Sequence, residues 1–411
     1  MAAKHDNRGL LKSRRAFARH GAIPVQKLSS AIWGIFFKAL AIALGGVIAV
    51  GGISVWGITA QLGNGSVKLL DSNGNPIEPP TAEDLKGPIN VLLVGSDTRE
   101  GQSKVFGTDK STLADVIILL HVSANRKNAV ALSFPRDLMV PWPACPSTTG
   151  GPGYLPQSMG QINATIANGG PGCTLLTVEK LTGVKIPYLA MINFKGVIEM
   201  SNAIGGVEVC VANDIVDEYT HLDLKKGEHV LQGLQALQFL RTRHGVGDGS
   251  DLSRISNQQV FLTSLVRKVR GDGILTDPIK LYALANAAVR NMTLSSSLAD
   301  LGTMVAIAGA LKDIPLERIT FLQVPSRGGL PAPYSGRVMP IYEKADPIFE
   351  KLQKDEPLLI AKAQPGSGAV VATPAPTASA SATPTPSPTA TEDVLDDSYR
   401  GTNGSQTTCS G

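Results

Sequence analysis

Three runs, Ile89–Val94, Val116–Val122 and Ala129–Phe134, are almost continuously apolar and are bounded by polar or turn-forming residues. That is the pattern of strands buried on both faces. Only Ser123–Asn128 separates the second run from the third, a connection short enough for an antiparallel hairpin. In such a hairpin the start of one strand lies beside the end of the other, so Asp115 and Pro135-Arg136-Asp137 are expected at one sheet edge. If the first strand runs parallel to the third, Gly95-Ser96-Asp97-Thr98-Arg99 arrives there too. Further on the period changes from strand-like to helical. Leu252–Arg270 places Ile255, Val260, Phe261 and Leu265 on one side, and Leu281–Val289 and Ala299–Leu311 have the same spacing. Leu175–Leu181 and Phe194–Ile204 are amphipathic and, with the sheet face, offer an apolar slot. The fold class that follows is α/β: a single domain over 87–361 with a mixed central β-sheet flanked by helices.

Ala39–Ala60 is a different kind of run, 22 residues without a charge, long enough to cross a bilayer as a helix of roughly 20 residues. Residues 1–38 before it hold eight lysines and arginines against Asp6 alone, a net +7, so the rest of the chain sums to −3 of the total +4. A basic arm followed by an uncharged span reads as one transmembrane signal-anchor helix over 39–60, with 1–38 cytoplasmic and everything beyond a 61–86 linker outside. With the excess charge confined to that arm, nucleic acid is not an expected partner. Residues 362–411 read as a disordered tail, because 363–392 is almost wholly Ala, Pro, Thr, Ser and Gly.

The four cysteines, 145, 173, 210 and 409, all fall on the expected outer side, where disulfides persist. Cys145 and Cys173 flank a loop rich in Gly, Pro and Ser and are the first pair to expect. Cys210, inside Gly206–Val211, reads equally as a buried strand residue. No zinc-ligand spacing occurs.

The charged residues at the element edges carry the chemistry. Arg254 and Gln258 are four apart and share a helix face, Asp251 stands before that helix, and Arg241 and Arg243 precede it as a two-pronged clamp if the segment is extended. Arginine donates two parallel hydrogen bonds to phosphate and keeps its charge, and one or two carboxylates with phosphate oxygens suit magnesium. Any one of these charges could be an ordinary surface ion pair. As a set they fit a pyrophosphate and a divalent cation.

These segments resemble those of the LytR-CpsA-Psr family of bacterial cell-wall enzymes. The resemblance runs over roughly 89–270 and includes the strand-Gly-x-Asp-x-Arg motif, Ala114-Asp115-Val116, Phe134-Pro135-Arg136-Asp137, Ile162-Asn163-Ala164 with Gly169-Gly170-Pro171, Ile204-Gly205-Gly206-Val207, and Arg241-Thr242-Arg243-His244 leading to Arg254 and Gln258. It implies a phosphotransferase that joins a polyprenyl-pyrophosphate-linked glycopolymer, of teichoic acid, arabinogalactan or capsule type, to peptidoglycan through a phosphodiester. It also implies that Asp97 and Asp115 hold Mg2+ (or Mn2+) and that Arg99, Arg136, Arg241, Arg243, Arg254 and Gln258 bind the pyrophosphate, with Asp251 in support. Asp97, Arg99, Asp115 and Arg136 form the catalytic set in this reading. One departure is Gln161, where many relatives carry lysine before the Ile-Asn pair. His244 is expected to be a structural hydrogen-bonder. A pyrophosphate hydrolase and a non-catalytic wall-binding or regulatory membrane protein are the alternatives.

Overall fold

The computed structural model describes residues 66–78, 80, 84–97, 112–147, 151–372 and 394–411. Arg99, the basic arm and the expected 39–60 span lie outside the described residues. Within them, no helix is long and apolar enough to cross a membrane.

The strands of the two larger sheets are β1 (Ile89–Ser96), β2 (Ala114–Val122), β3 (Ala129–Phe134), β4 (Tyr188–Ile192), β5 (Val207–Val211), β6 (Gly227–Leu231), β7 (Met292–Leu294), β8 (Ile319–Gln323), β9 (Ala369–Val371), β10 (Gly401–Asn403) and β11 (Thr408–Ser410). The helices are α1 (Thr165–Thr182), α2 (Phe194–Ala203), α3 (Gly233–Arg241), α4 (Asp251–Gly271), α5 (Pro278–Asn291), α6 (Leu301–Lys312) and α7 (Tyr342–Gln353).

Branched apolar residues dominate β1 to β3, and they assemble the middle of a mixed seven-stranded sheet in the order β7-β4-β1-β2-β3-β8-β10. Neighbours β1 and β2, and β2 and β3, are antiparallel, while β4 joins β1 and β8 joins β3 in parallel. The first and third strands therefore run the same way, as the edge argument requires, and Ser96 lies opposite Ala114 while Phe134 lies opposite Ile117.

Alternation along the strands divides the core between two faces. Leu92, Val94, Ile117, Leu119 and Leu132 pack with residues of α1 and α7. Val91, Ile118, Ala131 and Tyr188 look the other way, toward residues of α4, α5 and α6. Leu175, Leu176 and Val178 belong to the first of these clusters, so Leu175–Leu181 is core on the face away from the slot expected from sequence.

The expected Cys145–Cys173 disulfide is present, with a Cα separation of 5.3 Å. It explains the Gly169-Gly170-Pro171 break in α1. A Cβ on Gly169 would stand 2.7 Å from the Cβ of Cys173 and 3.0 Å from that of Cys145, and Gly170 takes a positive φ of 71°.

Two boundaries differ from the sequence reading. The 61–86 linker is partly docked: Val67 donates to the Leu294 carbonyl at 2.8 Å, and Leu69 is buried in the core. The 362–411 tail is not a disordered tail throughout, since β10 completes the central sheet and β9 and β11 enter a second sheet in the order β6-β5-β11-β9. Polar composition misleads here because these strands hydrogen-bond through their backbones to sheet edges and bury their polar side chains. Thr402, Asn403, Thr408 and Ser410 are all buried, and the Asn403 side-chain amide donates to the Ile360 carbonyl at 3.0 Å. Cys210 and Cys409 sit opposite each other in parallel register and form a second disulfide. None of the cysteines is free.

The Cys210–Cys409 bond closes a sequence separation of 199 residues, for which the loop-entropy model gives about 5 kcal/mol. Cys409→Ser is therefore expected to lower the denaturation free energy by roughly 2 to 5 kcal/mol, read from the shift in the guanidinium midpoint. A midpoint within error of the parent would mean that the Cys210–Cys409 bond adds no measurable stability.

Candidate functional site

Asp97 and Asp115 lie at neighbouring positions where β1 ends and β2 begins. The Asp97 carboxylate accepts from the Leu113 amide at 2.6 Å, and the Asp97 amide donates to the Leu113 carbonyl at 3.1 Å, closing the ends of the intervening segment together. Asp115 Oδ1 accepts from Arg136 Nη1 at 2.7 Å and is 3.7 Å from Arg254 Nη1. Arg254 Nη2 also donates to the Asp115 carbonyl at 3.1 Å.

Helix α4 supplies the other side of the cluster. Ser250 caps it by accepting from the Ser253 amide at 3.2 Å, which places Asp251 on its first residue. Asp251 Oδ1 is 2.5 Å from Arg254 Nη2 and 3.2 Å from Arg136 Nε, and the Arg254 side chain is only 6% exposed. Burial pushes the Asp251 carboxyl up from its ordinary range, while Arg254 and Arg136 pull it back. For Arg136, burial is opposed and outweighed by Asp115, Asp251 and Asp137, which hold the guanidinium charged.

Gln258 also faces the site, and its amide donates to the Leu240 carbonyl at 3.0 Å. Its neighbour Asn257 donates to the Phe239 carbonyl at 2.7 Å. The two amides satisfy orphan carbonyls at the C-terminus of α3 and fix α3 to α4.

Arg241 is the last residue of α3 and not part of an extended segment, so the clamp is built differently from the sequence reading. Its guanidinium stacks 4.4 Å above the Phe194 ring. Thr242 is extended, with φ −60° and ψ 139°, and carries the chain on to Arg243. Both arginines nevertheless line the same space.

A residue absent from the sequence reading organises that turn. Asp217, 2% exposed, accepts at Oδ2 from the Thr242 hydroxyl at 2.6 Å and from the amides of Arg243 at 3.0 Å and His244 at 3.1 Å. Burial raises its pKa, but these bonds outweigh burial and hold the carboxyl below its ordinary range. The available signal was an aspartate at a strand end followed by turn residues, Asp217-Glu218-Tyr219-Thr220, the pattern of a side chain that accepts from amides two residues on. His244 is tied in through its backbone amide, and its ring stacks on Tyr219.

Behind these charges lies a cavity of about 790 Å³ between the sheet and helices α2, α4, α5 and α6. Val91, Leu93, Ile118, Leu120, Ala190 and Ile192 form its floor, and Phe194, Val197 and Met200 of α2 one wall. Asp115, Arg136, Arg241, Arg243, Arg254 and Gln258 all border the same space. Buried Nε atoms of Arg136, Arg243 and Arg254 have no aligned hydrogen bond, and among the described residues the Arg243 guanidinium has no ion-pair partner. Both Asp251 oxygens are likewise without an aligned hydrogen bond beside Arg136 and Arg254, so the donor left for an anion is the Arg243 guanidinium.

Among the described residues, no three His, Cys, Asp or Glu side chains form a metal cage. Asp97 and Asp115 are close in the register of β1 and β2, and Asp115 Oδ2 is unengaged by any described residue, while Asp97 is not among the residues lining the cavity; two carboxylates are the number that magnesium commonly takes beside substrate oxygens and water.

The α/β domain thus joins an apolar cavity to a polar border of arginines and one carboxylate-bearing strand end. The LytR_cpsA_psr family model matches residues 63–352, and the chain belongs to that family. It is 27% identical over 306 residues to the cell wall biosynthesis protein LcpA of Corynebacterium glutamicum, covering 68% of this chain and 57% of that one. It is 28% identical over 242 residues to the polyisoprenyl-teichoic acid–peptidoglycan teichoic acid transferase TagT of Bacillus subtilis, covering 57% of this chain and 68% of that one. The chain thus spans little more than half the length of the first relative. The structure of TagT bound to LI-WTA has the same fold, with a TM-score of 0.51 and 23% identity over 68% of this chain and 94% of that one.

Removing one partner of a buried ion pair leaves the other uncompensated. Asp251→Ala is expected to destabilise the domain by about 3 kcal/mol, measured by chemical denaturation. The Asp217 pKa lies below its ordinary value, so its contribution to stability is full above the ordinary carboxylate range and is lost as pH falls through the folded value. Asp217→Asn should accordingly flatten the acid limb of the stability curve below about pH 4, followed by thermal melts across pH.

Proposed function

We propose that this chain is a phosphotransferase that moves a glycopolymer from a polyprenyl-pyrophosphate carrier onto peptidoglycan as a phosphodiester. The Arg243 guanidinium, without an ion-pair partner among the described residues and at the border of an apolar cavity that Arg136 and Arg254 also line, is the observation that carries this reading. A pyrophosphate joined to a long hydrocarbon has the matching polarity, its charge among Arg136, Arg243 and Arg254 and its chain along the apolar floor. The name of TagT, a teichoic acid transferase, supports the same chemistry in a relative.

In the proposed reaction an acceptor sugar hydroxyl attacks the phosphorus that carries the glycan. The new oxygen–phosphorus bond forms as the bond to the polyprenyl phosphate breaks, and the hydroxyl proton is released. Negative charge moves toward the leaving phosphate, so donors held in place beforehand lower the barrier without reorganising. Arg254 and Arg136 are fixed by Asp251 and Asp115, and Arg243 by Asp217 through its amide. Asp97 and Asp115 would hold Mg2+ or Mn2+, which supplies charge neutralisation to the phosphate oxygens when bound. The 39–60 run is proposed to anchor the domain at the outer face of the cell membrane. Two disulfides suit that oxidising side.

The test incubates the full chain in detergent with magnesium, a polyprenyl-pyrophosphate disaccharide and peptidoglycan oligomers, and follows products by mass spectrometry. A phosphodiester-linked product is expected, with its rate reduced about 10²- to 10³-fold by Arg243→Ala. Free glycan phosphate would make water the acceptor, and lipid binding without any product would make the chain a binding protein.

A further inference from the structure

Two aromatic rings stand in water at the border of the cavity, where the core gives them no reason to be. Tyr219 lies on the turn between Ile215–Asp217 and Leu222–Leu224 and is 78% exposed. Its ring centroid is 4.5 Å from that of His244, with the planes inclined at 36°. His244 is also exposed and directly follows Arg243 in the chain. Leaving such a surface in water forfeits burial energy, and a ring pair on a loop would ordinarily be mobile as well.

This one is held. Asp217 Oδ1 accepts from the Tyr219 amide at 3.0 Å and the Thr220 amide at 3.4 Å, while Oδ2 accepts from Thr242, Arg243 and His244. A single buried carboxylate therefore sets the backbone of both rings and of Arg243, whose guanidinium has no ion-pair partner among the described residues, in one frame. Preorganisation of this kind cuts the ordering cost of binding.

We infer that Tyr219, backed by His244, is a stacking platform for the pyranose ring that adjoins the donor pyrophosphate, an inference that rests on the transferase reading above. The first sugar of such a donor is bonded through its anomeric oxygen to the phosphate that Arg243 meets. That sugar must lie within a few ångströms of the guanidinium and on the side away from the hydrocarbon. A pyranose presents a face of polarised C–H bonds, which matches the electron-rich face of an aromatic ring, while its hydroxyls remain toward water. The occupant is thus a hexose or 2-acetamido-hexose at the reducing end of the glycan. The residue's role is recognition, and the phosphate contacts are left to the arginines.

The experiment compares two probes by titration calorimetry on the full chain in detergent micelles: polyprenyl pyrophosphate, and polyprenyl pyrophosphate bearing one N-acetylglucosamine. The parent is expected to bind the sugar-bearing probe roughly ten-fold more tightly, the scale of one good aromatic contact. Tyr219→Ala should abolish that difference and leave the affinity for the sugar-free probe unchanged, whereas Tyr219→Phe and Tyr219→Trp should retain it. Equal weakening of both probes by Tyr219→Ala would place the lipid on the ring and overturn the inference, as would no change with either probe. If the parent fails to bind even the sugar-free probe, the transferase reading itself falls, and the platform with it. Because Tyr219 is so exposed, an unchanged melting temperature in all three variants separates recognition from folding.

Discussion

Arg254 brings a guanidinium almost out of water at the end of the central sheet, and much of the surrounding geometry follows from keeping that charge compensated. An isolated buried cation would be strongly unfavourable, so Asp251 from the same helix and Asp115 from the sheet must both reach it. Asp251 and Asp115 in turn hold Arg136 at the end of β3. The four groups thereby lock the first turn of α4 to the edge where β2 begins and β3 stops. Like charges also meet there, since Arg136 opposes Arg254, and the carboxylates of Asp251, Asp115 and Asp137 offset that repulsion. The orientation of Arg136 and Arg254 is thus set by carboxylates that pair with them from the sheet and the helix.

The second layer of support reaches the site from far along the chain. Asn257 spends its amide on the Phe239 carbonyl, and its oxygen accepts from the Ser410 hydroxyl. Arg267, further along α4, donates to the carbonyls of Gly404 and Gln406. The last strand is therefore wedged against the helix that carries Arg254 and Gln258, and the Cys210–Cys409 bond keeps it there. Glycines permit this fit: a Cβ on Gly368 would stand 2.1 Å from the Ser253 carbonyl oxygen. An alanine there would push the C-terminal segment off the N-terminal turn of α4.

Elements whose information is local were legible. The runs at 89, 116 and 129 became β1 to β3 within two residues at either end, and the hairpin argument brought Asp115 to Arg136 because register follows from a short connection. Helix α4 differs from the expected span by one residue at each end. What local pattern does not carry is the partner of a polar residue. Asp217 gains its role only once the chain has folded back to bring Thr242–His244 to it, some 25 residues later. The polar strands near the C-terminus look like tail because composition cannot show that a distant sheet edge will accept their hydrogen bonds. Arg241 was placed in an extended segment because a clamp of alternate residues looked like a strand, whereas α3 continues through it.

Gln161 shows the same non-locality with a chemical consequence. Lysine at that position would have brought a cation beside Asp137. Here the Gln161 amide donates to Asp137 Oδ1 at 2.6 Å and Arg337 Nη1 approaches the same oxygen at 2.8 Å. The neutral amide supplies the bond, and the positive charge comes from a loop 200 residues away in sequence. Asp137 also lies 3.7 Å from Arg136 Nε, so an uncompensated Asp137 would compete with Asp115 for that guanidinium. With Arg337 in place, Asp137 is satisfied from the outer side and Arg136 remains directed at Asp115, its shortest contact. A neutral residue at 161 is thus compatible with a charged partner for Asp137, because Arg337 reaches it through space, and the Arg136–Asp115 contact stays intact.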